Sequence, residues 1–148
     1  MYSIEFDTNI IKGDELIDID LLNPHEKIIK RKQTKLTKFI KSFDEYYIIS
    51  SILCCHKSHV IIDGHHRYFA LKELGFKKVP VTKIDYSSDL ISTGVGGNGI
   101  PKDEIISKGV SNELFEPKST QHLIYCSRSK AWNPIILLST MFKIDTKN

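Results

Sequence analysis

The chain has few of the residues that mark covalent or metal scaffolds. Its 148 residues include three cysteines, Cys54, Cys55 and Cys126. That is an odd number without C-x-x-C spacing, so neither a disulfide framework nor a thiolate zinc site is expected. Long apolar runs are missing as well. Pro134 to Met141 is far too short to span a bilayer, and Met1 to Asp7 lacks the charged-then-apolar pattern of a secretion signal. Charge of one sign is also scarce: the net +3 is too mild to demand a nucleic-acid partner and suits anionic small ligands equally well. The expectation is one domain over residues 1–148, in the reducing cytoplasm, with no membrane partner and no nucleic-acid partner.

What stands out is the stretch Val60 to Val81. Val60-Ile61-Ile62 is a short β-branched run, Asp63-Gly64 a turn, and His66 to Leu74 carries apolar residues at helical spacing until Gly75. The prediction is strand, tight turn, helix. The first N–H groups of a helix lack internal partners and lie at the positive end of its dipole, where anions bind. Gly64 would admit a phosphate close to the backbone, Arg67 would grip it with paired hydrogen bonds, and His65 and His66 would donate more. A purely structural reading exists beside this one, since Asp63 is a good helix N-cap and an Asp-Gly turn needs no ligand.

Around this core the pattern predicts a compact mixed α/β (α+β) sheet with flanking helices. Ile4 to Ile19 reads as two short strands broken at Gly13-Asp14, and Leu21 to Pro24 as a strand end entering a helix, with Glu26 in its first turn. Lys27 to Lys41 reads as a helix whose lysines cover the solvent face while Leu36, Phe39, Ile40 and Phe43 face the core. Tyr46 to Cys55 and His59 to Ile62 form a hairpin, with Cys54 and Cys55 on opposite faces, and Lys78 to Tyr86 is the next strand. Gly94, Gly96 and Gly99 match G-x-G-x-x-G formally. They lack the strand-helix-strand setting of a dinucleotide fingerprint and read as a flexible loop able to close over a ligand. A helix from Pro101 to Lys108 stopped by Gly109, a strand Leu123 to Cys126, a turn at Trp132 to Pro134 and a strand Ile135 to Phe142 complete the chain. A frayed tail follows from Lys143.

The run Ile62-Asp63-Gly64-His65-His66-Arg67, followed by Ala70, Leu74-Gly75 and Val79-Pro80-Val81, resembles the nucleotide-binding motif of the ParB/sulfiredoxin superfamily in its free L-serine kinase form. Asn23-Pro24-His25-Glu26 resembles a segment whose glutamate is the catalytic base in that group. Phe115 to His122 resembles a Pro-Lys-Thr-Thr-Arg-His segment of its substrate and phosphate pocket. The resemblance implies a kinase using ATP or ADP with Mg2+ to phosphorylate free L-serine or a similar small hydroxy amino acid. Glu26 and Asp63 would be catalytic, and Asp63 would hold the metal through water. Gly64, His65, His66 and Arg67 would bind phosphate; Lys118, Ser119, Thr120 and His122 would bind the substrate.

Two departures accompany it. Gln121 stands where the third motif has arginine, removing a cation, and the chain is shorter than those kinases between the second and third motifs. The competing class is a catalytically silent, nucleotide-binding regulatory or DNA-associated ParB-like module. Sulfinic-acid chemistry is disfavoured, because His65 occupies the place of the sulfiredoxin cysteine.

Overall fold

The computed structural model describes residues 4–43, 46–94 and 99–145. In chain order the first elements are β1 (Ile11–Asp18), α1 (Lys30–Lys41), β2 (Tyr46–Ser50), β3 (Ile52–Cys55), β4 (Ile61–Asp63) and α2 (His65–Glu73). They are followed by β5 (Lys78–Ile84), β6 (Ile91–Ser92), α3 (Lys102–Val110), β7 (Leu123–Cys126), β8 (Ala131–Pro134) and β9 (Met141–Asp145). The central sheet has the order β1-β5-β3-β4 and is mixed as expected: β3 and β5 run parallel, joined through β4 and α2, and the other neighbours are antiparallel.

The sheet is buried on both faces because alternate side chains point opposite ways along a strand. Ile52, Cys54 and Ile61 pack on one side with Ile40 of α1, Leu71 of α2, Tyr47 of β2 and Ile144 of β9. Leu53, Cys55 and Ile62 pack on the other with Ile105 of α3, Ile91 of β6, Ile124 of β7 and the 3-10 turn Ile135–Leu138. Two adjacent cysteines thus serve two separate cores.

Several boundaries differ from the sequence reading. Ile11–Asp18 is one strand, with a register shift at Gly13 in place of a turn. The run expected as a single strand to Cys55 is split at Ser51, so that β2 pairs with β9 in a separate two-stranded sheet. Ser51 makes the switch possible with polar partners: its N–H donates to the Thr140 carbonyl at 2.8 Å and its hydroxyl accepts from Thr140 N at 2.9 Å. That hydroxyl also meets Thr82 Oγ1 at 2.6 Å, and Thr82 donates to Asp14.

Helix α1 starts at Lys30, not Lys27, and its lysine face is solvated as expected, but the buried side differs. Gln33, Thr37 and Ile40 are buried while Phe39 is 58% exposed. The reason is Glu73 on α2, whose carboxylate needs donors and receives Gln33 Nε2 at 2.9 Å and Thr37 Oγ1 at 3.4 Å.

At the far end, α3 runs through Gly109, where a Cβ would stand 2.6 Å from Val60 Cγ2. Trp132 to Pro134 lies in β8, Ile135 begins a 3-10 turn, and Lys143 is inside β9. Of the glycine-rich loop, Val95 to Asn98 falls outside the described residues.

Candidate active site

The strand-turn-helix motif lines one wall of a cleft of about 390 Å³, with Glu26, Thr120, Gln121, His122 and Pro134 to Ile136 around the rest. Gly64 is the N-cap of α2, with φ 107°, and no side chain among the described residues caps the helix. Asp63 is instead an ion-pair partner of Arg67 at 3.3 Å. A Cβ on Gly64 would lie 2.8 Å from Arg67 Nη2 and 3.2 Å from Nε, so the guanidinium folds over the turn only because this position is glycine. Arg67 also donates to the Ser51 carbonyl at 3.2 Å, while its buried Nε has no partner among the described residues. An open helix N-terminus, a guanidinium with a spare donor and a carboxylate therefore share one end of α2.

The two imidazoles play a part the sequence did not suggest. His65 Nε2 accepts from the backbone N–H of His25 at 3.1 Å, and His66 Nε2 accepts from that of Ile29 at 3.1 Å. A nitrogen that accepts cannot carry a proton, so both rings are neutral with the proton on Nδ1. Burial pushes His65 well below the ordinary histidine range. For His66 burial acts first, and Lys32, Lys118 and Arg67 nearby add to the lowering. These side chains staple the incoming segment to α2.

That staple positions Glu26. The sequence placed it in a helix's first turn. It lies instead in extended chain, in a parallel bridge with Phe115: Phe115 N donates to the His25 carbonyl at 2.7 Å and Lys27 N to the Phe115 carbonyl at 2.8 Å. The bridge brings segments 23–26 and 115–122 together. Glu26 Oε1 accepts from Thr120 N at 2.9 Å and lies 3.2 Å from Thr120 Oγ1. Burial raises the proton affinity of this carboxyl; the Thr120 backbone N–H, the Thr120 hydroxyl where it donates and the Ser119 backbone offset part of the rise, and Asp63 adds to it.

Of the residues expected to bind substrate, Thr120 and His122 line the cleft. Lys118, at φ 59°, is exposed and lies near Lys32 and His66. Ser119 turns its hydroxyl to the Glu116 carbonyl at 2.5 Å and offers its backbone instead. Two participants, His25 within the Pro-His-Glu segment and Tyr86, were given no role by the sequence. His25, fully buried, donates from Nδ1 to the Ile61 carbonyl at 2.6 Å, and its ring lies edge-on to His65 with centroids 4.5 Å apart. Tyr86 meets His122 Nε2 at 2.7 Å. Burial takes His25 down to about 4 and His122 to about 3. Among the described residues no group of three or more His, Cys, Asp or Glu is placed to hold a metal, and no helix is long and apolar enough to cross a membrane.

A free serine kinase, as a Glu-to-Gln mutant in complex with AMP, superposes with a TM-score of 0.65 at 14% identity, covering 83% of this chain and 91% of that one. The fold is that of the free serine kinases. In sequence, the ATP-dependent L-serine kinase of Staphylothermus marinus is 45% identical over 74 residues, 48% of this chain and 29% of the kinase. The ADP-dependent L-serine kinase of Thermococcus kodakarensis is 35% identical over 78 residues, 49% and 31% respectively. The matched segment thus spans about three-tenths of the length of each kinase. No protein-family model matches the chain. The resemblance to the free serine kinase group read from the three motifs is borne out by these comparisons.

Proposed function

We propose that the chain is a nucleotide-dependent kinase of free L-serine, or a close hydroxy amino acid, within a single domain over residues 1–148. The observation that carries this is one cleft holding both a carboxyl of raised proton affinity, Glu26, and the uncapped start of α2 under Arg67. Phosphoryl transfer asks for these two groups: a seat for a polyanion and an acceptor for the attacking hydroxyl's proton.

In this reading the N–H groups after Gly64 and the spare Nε–H of Arg67 hold phosphate oxygens of ATP or ADP. His66, with its proton on Nδ1, is a neutral donor candidate for the same group; His65 and His25 hold the frame. The substrate hydroxyl loses its proton to Glu26 as its oxygen bonds to the terminal phosphorus and the bond from that phosphorus to the nucleotide oxygen breaks. Lys118 supplies positive charge at the rim. A single carboxylate with nucleotide phosphates is an ordinary Mg2+ environment. Asp63 uses only Oδ2 on Arg67 and would hold the ion through water with its other oxygen; the ion would neutralise phosphate charge.

The test is phosphorus NMR of the protein with Mg2+, L-serine and either ADP or ATP. An O-phosphoserine resonance is expected with one donor and identifies it. Nucleotide binding without product from either donor would overturn the kinase reading in favour of a silent nucleotide-binding module.

A further inference from the structure

Three polar groups at the cleft wall, His25 fully buried and Thr120 and Glu26 partly so, do not balance in protons as ordinary hydrogen bonding would have them. His25 Nδ1 faces the Ile61 carbonyl at 2.6 Å, and a carbonyl only accepts, so Nδ1 carries the hydrogen. The ring is neutral, because burial strongly disfavours the cation. Its Nε2 is therefore a bare lone pair, and its neighbour is Thr120 Oγ1 at 3.1 Å. The same oxygen lies 3.2 Å from Glu26 Oε1. One hydroxyl proton stands between two acceptors.

With Glu26 ionised, whichever acceptor the hydroxyl does not serve faces its lone pairs, a cost that falls mostly on the fully buried His25, since Glu26 is partly exposed and keeps the Thr120 N–H. One added proton on Glu26 removes the conflict. Glu26 then donates to Thr120, Thr120 to His25 and His25 to the Ile61 carbonyl, a file of hydrogen bonds all pointing the same way. We propose that the Thr120 hydroxyl, donating to His25 and accepting from Glu26, stabilises the protonated form of Glu26. This makes Thr120 and His25 positioning residues for the base, and removes the Thr120 hydroxyl from the substrate's ligands.

The proposal rests on Glu26 being the base in the reading above, but it concerns the free protein. The proton received from the substrate hydroxyl ends on the Glu26 carboxyl; only the Thr120 hydroxyl reorients, and neither it nor His25 gains or loses a proton. Other charged or titratable groups around the carboxyl are Asp63 from β4, His65, His66 and Arg67 from α2, and Lys118 and His122 on either side of Thr120. A substitution of Thr120 leaves all of them in place.

The sign of one shift decides. A hydroxyl that donates to the Glu26 carboxylate lowers its pKa, so removing it would raise the value; a hydroxyl that serves His25 and accepts from the acid does the reverse. The experiment follows the Glu26 side-chain carboxyl carbon by 13C NMR across pH in the full chain without nucleotide, serine or Mg2+, assigned with Glu26→Gln. Thr120→Val is expected to lower the Glu26 pKa by roughly half a unit to one unit, the size of one hydrogen bond, and Thr120→Ser to restore it. A rise, no change, or a serine variant that behaves like valine overturns the proposal. Should the valine variant fail to fold, Thr120→Ala is read in the same way: a lowered Glu26 pKa supports the proposal, and a raised or unchanged one overturns it. No turnover is needed, so a missing phosphoserine signal with the shift present refutes the kinase reading alone.

Discussion

Acid should unfold this protein early, and the buried histidines set the scale. A histidine exposed in the unfolded chain titrates near 6.5, whereas burial holds His25 at about 4 and His122 at about 3. At pH 5 both remain neutral in the fold while the unfolded chain takes up a proton at each. The difference is 1.5 pH units per site. At about 1.4 kcal/mol per unit this is about 2 kcal/mol each, or about 4 kcal/mol for the pair. The sign follows from the depressed folded values: the stability is whole above pH 6.5 and is lost as the pH falls through 5 toward the folded values. His65, also held low by burial, adds in the same direction, while the raised Glu26 carboxyl opposes it.

Since domains of this size are stable by about 5–15 kcal/mol, the loss is a large fraction of the total. Urea unfolding at pH 7.5, 6.5, 5.5 and 5.0 measures it, with m unchanged. A His122→Gln variant should show about half the pH-dependent loss assigned to the pair. Stability that is flat between pH 7 and 5 would refute the reasoning, because it would mean that these rings reach protons without leaving the fold.

Glu26→Gln should reduce turnover by roughly two to four orders of magnitude while nucleotide affinity by calorimetry stays within about threefold; unaltered turnover would remove Glu26 from the reaction. Gly64→Ala puts a Cβ into the left-handed region and 2.8 Å from Arg67 Nη2. We expect about 1–2 kcal/mol of lost stability with at least about tenfold weaker nucleotide binding, and retention of both would argue against the guanidinium's place over the turn. Gly109→Ala, meeting Val60 at 2.6 Å, should cost about 1–3 kcal/mol by overpacking without changing nucleotide affinity; a neutral thermal midpoint would show that α3 shifts freely.

The central motif was legible because strand, turn and helix are each written locally: β-branched Ile61-Ile62, then Asp63-Gly64, then a helical pattern closed by Gly75. The mixed sheet followed from the same unit. What stayed hidden depends on partners distant in sequence. Nothing near Glu26 announces Phe115, 89 positions on, whose ladder holds it in extended chain and keeps it out of a helix. Gln33 and Thr37 look like solvent-facing residues until Glu73 is set opposite them. His65 and His66 were read as phosphate donors because a sequence shows which atoms are available, not which are already engaged by His25 N and Ile29 N. A Pro-His-Glu segment some forty residues from a paired histidine was the only signal for that staple.

The Ser51 switch also has a kinetic side. Arg67 takes its carbonyl acceptor from Ser51, and both backbone and hydroxyl of Ser51 are fixed by Thr140, 89 residues downstream. Contacts of such sequence separation form slowly, since a long loop must close before they repay its entropy. The guanidinium over the turn is thus among the last groups to be set, after the local strand-turn-helix has formed. In refolding, competence to bind nucleotide should therefore return later than the bulk of the secondary structure followed by stopped-flow circular dichroism, and simultaneous recovery would contradict this order.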